Sequence, residues 1–172
     1  MSAGPLIWVT GLPSSGKSRF ARAVQVALRS TGHPAVVVLD GDEVRHALRP
    51  EPGYDDAARD AFYDTLARLA VLVAAQGQVV LVPATAHRRA FRERARRLAP
   101  GRFLEVYVDT PESECRRRDA KGLYARAELD GSGSLPGVGV PFEPPLAPAL
   151  TVFPADHDAV ARLIAVVLAL GA

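Results

Sequence analysis

Gly11-Leu12-Pro13-Ser14-Ser15-Gly16-Lys17-Ser18 fits the pattern G-x-x-x-x-G-K-[ST], and the residues on either side give it a structural context. Leu6-Ile7-Trp8-Val9-Thr10 is a short apolar run that suits a buried strand. Behind the loop, Phe20, Val24, Ala27 and Leu28 recur at helical spacing. A glycine-rich turn between a buried strand and a helix aims loop amides and a helix N-terminus at a polyanion. In such a loop Gly11, Ser14, Ser15 and Gly16 cradle a nucleotide's phosphates, and Lys17 reaches the β- and γ-phosphates. The Ser18 hydroxyl sits on Mg²⁺. ATP and Mg²⁺ are therefore the expected cofactors.

Outward from the loop, apolar runs alternate with helical patterns. Strands are expected at 6–10, 35–39, 78–82, 103–108 and 149–153, and helices at 17–30, 43–48, 56–76, 87–98, 111–118 and 156–169. This alternation predicts an α/β fold with a parallel sheet covered on both faces. With the loop, it reads as a three-layer αβα sandwich of the P-loop type. We expect five parallel strands, one domain over 1–172, and a lid segment. Ligands in such sheets sit beyond the carboxyl ends of the strands. That points to Gly11–Ser18, Asp40–Glu43, Pro83–Arg88, Asp109–Pro111 and Pro154. Residues 119–148 are rich in Gly and Pro and lack clear periodicity. A stretch of that kind in a compact domain is usually a lid or binding loop, placed here at about 116–135.

Composition narrows the partners. The 172 residues carry a net charge of +2, so no general affinity for nucleic acid or membrane follows. A lone cysteine, Cys115, excludes an internal disulfide and fits a reducing cytoplasm, where it reads as a small buried residue on a helix. The N-terminus has no basic leader, and the apolar run 159–170 is short and broken by Arg162. The four histidines are scattered and form no ligand pair. The arginines between Arg88 and Arg97 read as a solvated helix face, with Phe91, Ala95 and Leu98 as the core face. Among nineteen arginines the two lysines, Lys17 and Lys121, stand out. An ammonium is a compact point charge and a guanidinium a broad fork, so a lysine kept against this bias is a site candidate.

Asp40-Gly41-Asp42 follows the second expected strand. Two carboxylates at the ligand edge can hold Mg²⁺ or take a proton from an attacking hydroxyl. Asp is equally at home as a helix cap, and on position alone both readings stand. Arg45 lies one short turn further on, where it can neutralise an anionic acceptor.

These elements together resemble the adenylyl-sulfate kinase family, P-loop enzymes that phosphorylate the ribose 3′-hydroxyl of adenylyl sulfate. The stretches that carry the resemblance are 7–18, 39–45, Gly53-Tyr54 with Arg59, 105–111, Arg118-Asp119-Ala120-Lys121-Gly122-Leu123-Tyr124, and Pro141-Phe142-Glu143-Pro144. They occur in family order and span nearly the whole chain. The resemblance implies Asp42 as the general base, Lys17 and Asp40 beside it in catalysis, and Asp40 with Ser18 near Mg²⁺. It implies Arg45, Arg59 and Lys121 around the charged groups of a small nucleotide-like acceptor. It also implies Tyr54 as an aromatic wall for the acceptor base, and Arg118 with the lid over ATP. A homodimer is left open.

Departures cluster on the acceptor side. The family's usual Glu-Asn-Ile-Arg-Arg falls on Ala61-Phe62-Tyr63-Asp64-Thr65, which places Phe62 where the acceptor-touching asparagine stands. Ser-Phe-Ile-Ser-Pro falls on Pro83-Ala84-Thr85-Ala86-His87, so the family's phosphoserine position is an alanine. The lid's Phe-Thr-Gly falls on Leu135-Pro136-Gly137. The expectation is a more apolar acceptor pocket that holds adenylyl sulfate less well than the family norm. The alternatives are a relative acting on another acceptor, such as a cytidine diphosphoramidate, or an ATP-binding regulatory module without turnover.

Overall fold

The computed structural model describes residues 3–32, 35–119, 121–130 and 135–171. Its strands are β1 (Leu6–Thr10), β2 (Val36–Val38), β3 (Val79–Pro83), β4 (Phe103–Val108) and β5 (Leu150–Val152). Its helices are α1 (Lys17–Ser30), α2 (Gly41–Ala47), α3 (Asp56–Ala74), α4 (Arg89–Leu98), α5 (Glu112–Arg118), α6 (Leu123–Asp130) and α7 (Ala159–Gly171). The strands form one parallel sheet in the order β2-β3-β1-β4-β5.

β1 lies at the centre, with Leu6 opposite Val80 on one side and Phe103 on the other. Each of its residues is buried, and alternation sends them to two cores. Leu6 and Trp8 pack with Leu66, Ala70 and Phe91 under α3 and α4, while Ile7 and Val9 pack with Phe20, Val24 and Leu163 under α1 and α7. A strand covered on both faces has no polar side, which is why its sequence is a continuous apolar run. Each such side chain contributes about 1.5–3 kcal/mol on burial. Because the strands are parallel, their carboxyl ends share one edge, and the loop at Gly11–Ser18 sits there.

Three expectations need correcting. α2 begins at Gly41 rather than 43, because the Asp40 side chain accepts a hydrogen bond from the Asp42 amide at 3.0 Å and caps the helix two residues earlier. The stretch 119–148 contains α6, a helix too short and mixed to show in the sequence pattern. Burial of Tyr124 and Ala127 and acceptance of the Tyr124 and Ala125 amides by the Asp119 carboxylate hold it in place. Arg92 is not on a solvated face. It is 1% exposed, and its guanidinium donates to Glu105 at 2.6 Å and to the carbonyls of Ala86 at 2.5 Å and Glu143 at 2.6 Å. One buried cation thus ties α4 to β4, to the segment after β3, and to the strap at Pro141–Pro144. Among the described residues no helix is long and apolar enough to cross a membrane.

Candidate active site

The phosphate-binding loop is braced from three sides. Gly11 runs so close to β4 that a Cβ there would lie 2.6 Å from the Val108 carbonyl oxygen, so no other residue fits. Gly16, at φ 105°, opens α1 in a conformation that costs other residues 1–2 kcal/mol or so. The Ser15 carbonyl accepts from Thr110 at the end of β4 (2.9 Å) and from Arg118 at the end of α5 (3.3 Å). The Pro13 carbonyl accepts from the buried Tyr124 hydroxyl on α6 at 3.1 Å. α5 and α6 therefore hold the loop directly. Lys17 folds back to donate to the Leu12 carbonyl at 2.7 Å. Burial pulls its ammonium down to about 8, against the opposing pull of Asp42 and Asp40.

Asp40 divides its two oxygens between two tasks. Oδ1 caps α2, and Oδ2 accepts from the Ser18 hydroxyl at 2.5 Å. The two readings left open by position alone thus meet in one carboxylate: it is a cap, and it also faces the loop's hydroxyl. Asp42 lies in the first turn of α2 with its side chain 70% exposed and pairs with Lys121 at 2.6 Å. That hydrogen bond, with the negative charge beside it, raises the Lys121 pKa. The second lysine of the chain therefore bridges the lid to the carboxylate beside the phosphate loop.

The side of the site away from the loop is built on two buried arginines close to aromatic rings. Arg45 is buried, and its Nη1 donates to the carbonyls of Pro52 (2.9 Å) and Gly53 (2.6 Å). Its guanidinium lies 3.8 Å from the Phe62 ring centre and 4.6 Å from that of Tyr54. Arg59 is buried too and donates from Nε to the Tyr54 carbonyl at 2.6 Å; burial lowers its pKa. A cavity of about 980 Å³ joins these groups. It is lined by Lys17, Ser18, Asp40 and Asp42 on one side, by Arg45, Tyr54, Arg59 and Phe62 on another, and by Arg118, Lys121 and Leu135 of the lid.

Of the residues singled out in the sequence, Ser14, Gly16, Lys17, Ser18, Asp40, Asp42, Arg45, Tyr54, Arg59, Phe62, Arg118 and Lys121 all border this cavity. Gly11 and Ser15 lie behind it as loop structure. Sequence reasoning missed Tyr124 and Thr110, which brace the loop, and Arg92. Glu105 was the available signal for Arg92. A carboxylate inside the apolar strand Phe103–Val108 must find a buried cation.

Four of the departures, Phe62, Tyr63, Ala86 and His87, are linked through one another and through Phe91. Phe62 meets Tyr63 edge-on at 5.2 Å, Tyr63 stacks on Phe91 at 4.7 Å, and His87 meets Phe91 at 5.5 Å. The Tyr63 hydroxyl accepts from the Ala86 amide at 3.1 Å, which helps hold Ala86 at φ 39°. His87 is 1% exposed, and neither ring nitrogen has a partner among the described residues. Burial first, then Arg59 and Arg88, pull its pKa down to about 4.

Comparison with known proteins agrees with this geometry. The adenylylsulphate kinase family pattern matches residues 3–153. The adenylyl-sulfate kinase of Paraburkholderia xenovorans is 38% identical over 149 residues, 87% of this chain and 83% of that protein. The bifunctional enzyme NodQ of Azospirillum brasilense is 43% identical over 155 residues, 90% of this chain. The match covers 25% of NodQ, so this chain corresponds to about a quarter of that relative's length. Among solved structures, the APS kinase CysC of Mycobacterium tuberculosis, in complex with AMPPNP and APS, superposes with a TM-score of 0.86 at 36% identity. That superposition covers 99% of this chain and 98% of the other.

Proposed function

We propose, from the premise that the chain belongs to the adenylylsulphate kinase family, that it transfers the γ-phosphate of ATP to the ribose 3′-hydroxyl of adenylyl sulfate in the cytoplasm. The observation that carries this reading is one cavity holding Lys17 and Ser18 of the phosphate loop, the Asp40–Asp42 pair, and the cations Arg45 and Lys121.

In this reading Lys17 leaves the Leu12 carbonyl and offsets charge on the β- and γ-oxygens. The contact between bound phosphates and the ammonium restores the charge that burial weakens. Ser18 and Asp40 present a hydroxyl and a carboxylate side by side, and hard oxygen donors of this kind fit Mg²⁺. These two residues would hold the ion, which when bound neutralises phosphate charge. Arg118, anchored at the loop, covers ATP from the lid. Asp42 accepts the proton of the acceptor hydroxyl and so directs it at the γ-phosphorus. Lys121 pairs with Asp42 before the acceptor arrives and then turns to the acceptor's anionic group. Tyr54 offers an exposed ring face to the acceptor base. The gripped lid excludes the water that would otherwise consume ATP.

The departures Phe62, Ala86 and Leu135 favour a second reading, a kinase of this fold with another nucleotide-like acceptor. The deciding experiment is incubation of the purified chain with ATP, Mg²⁺ and adenylyl sulfate, followed by mass spectrometry. Acceptor-dependent formation of 3′-phosphoadenylyl sulfate supports the first reading. Turnover only with a cytidine diphosphoramidate supports the second, and ATP binding without turnover on either acceptor leaves a regulatory module.

A further inference from the structure

Phe62 stands where the family's acceptor-touching asparagine stands, yet it does more than delete an amide. It is 3% exposed, and its ring centre lies 3.8 Å from the Arg45 guanidinium, closer than that of Tyr54 at 4.6 Å. The back of that guanidinium is fixed, because Nη1 spends both protons on the Pro52 and Gly53 carbonyls. Its remaining groups, Nε and Nη2, have no partner among the described residues, and neither is sealed from the cavity that Arg45 lines. A guanidinium has five N–H donors in one plane. With two turned to carbonyls and the group held close to two rings, three remain in a fixed direction.

We propose that Phe62 is a positioning residue for acceptor specificity: it clamps the Arg45 guanidinium so that its free edge forms a preorganised fork for the acceptor's anionic tail. The inference rests on the kinase reading above and deepens it. A hydrogen-bonding contact to the acceptor is exchanged for a better-held cation, so the site reads the tail more strongly than an unclamped arginine would. Anionic groups of sulfate or phosphate type match such a fork in two-pronged fashion. Clamping also removes the rotamer entropy that a free arginine loses on binding.

The test compares Phe62→Leu, which keeps an apolar side chain and loses the ring face, with Phe62→Tyr, which keeps the ring. KM for adenylyl sulfate and for ATP, kcat, and the calorimetric Kd of adenylyl sulfate in the presence of ADP are measured for each. The expected result for Phe62→Leu is a rise of about tenfold in the KM and Kd for adenylyl sulfate, within the range of a desolvated cation–π contact. kcat and the KM for ATP stay within about twofold, and Phe62→Tyr restores the wild-type acceptor KM. In an Arg45→Met background Phe62→Leu has no further effect on the Kd. Equal Kd values for wild type and Phe62→Leu overturn the proposal. So does an effect undiminished in the Arg45→Met background, or a loss that falls on kcat and on ATP instead. If Phe62→Leu fails to fold, Phe62→Met takes its place in the same comparison. Because the Kd needs no turnover, a wild type that makes no product refutes the kinase reading without deciding this one.

Discussion

His87 should make the fold acid-sensitive by an amount that the structure specifies. The imidazole is buried, and both nitrogens lack partners among the described residues. Arg59 and Arg88 oppose its protonation, with Asp56 and Glu143 acting weakly the other way. Its pKa is therefore pulled from the ordinary 6.5 to about 4. Above pH 6.5 the ring is neutral in both the folded and the unfolded chain, and the full stability is present. As pH falls from 6.5 towards 4, the unfolded chain takes up a proton that the folded one refuses. Stability drops over that window and levels off below it. The separation of the two pKa values converts to a loss of about 3 kcal/mol. The perturbation is His87→Leu, which removes the titration and the unpartnered nitrogens together. Urea unfolding of wild type and variant at pH 7, 6, 5 and 4 reads the result, and other titrating groups cancel in the difference. At pH 7 the variant should be at least as stable as wild type, since an unsatisfied buried N–H costs about 1–3 kcal/mol. Its advantage should then grow by about 3 kcal/mol down to pH 4. Parallel stability curves for the two proteins would refute the argument.

Lys17→Arg should abolish phosphoryl transfer as fully as Lys17→Ala, because the planar fork does not fit where a point charge is needed; a radiolabelled transfer assay with residual rates near wild type would contradict the loop's assigned role. Asp42→Asn should lower kcat by about 10²–10⁴-fold with ATP affinity little changed, and steady-state kinetics alongside Asp40→Asn separate a base from a metal-side carboxylate. Arg92→Met should destabilise the fold by about 1–3 kcal/mol, since it leaves the Ala86 carbonyl without its donor and buried Glu105 with Arg96 as its remaining cation. Thermal and urea melts check this against the exposed Arg97→Ala, whose cost should stay within about 0.5 kcal/mol.

What could be read from the sequence was local. The phosphate loop, its flanking strand and helix, and the sheet alternation depend on residues within a few positions of one another. Accordingly β1, α1 and β4 fall where the pattern puts them. What could not be read depends on partners far along the chain. Arg92 looks like any other arginine of its helix until Glu105, Ala86 and Glu143 close around it. α6 has little amphipathic signal, and part of what holds it is Tyr124 reaching back 111 positions to Pro13. Phe62 read as the loss of an amide. Its gain, the face offered to Arg45, needs α2 and α3 brought together. Asp40 read as cap or ligand-edge carboxylate, because a sequence cannot assign two oxygens of one side chain to different neighbours.

The ring-to-ring chain from Phe62 through Tyr63 and Phe91 to His87, with Ala86 hung on the Tyr63 hydroxyl, also bears on ancestry. Substitutions at positions in contact are not additive in their effect on stability, so the cost of changing one of these residues depends on the identity of the others. Restoring a family residue at one of them meets neighbours shaped for its successor. A lone return of asparagine at Phe62 would sit among rings, and proline at His87 would vacate space beside Phe91. Routes back to the common sequence of this family therefore run through several simultaneous exchanges, and a library that varies 62, 63, 86 and 87 together should recover functional combinations that no single-site scan contains.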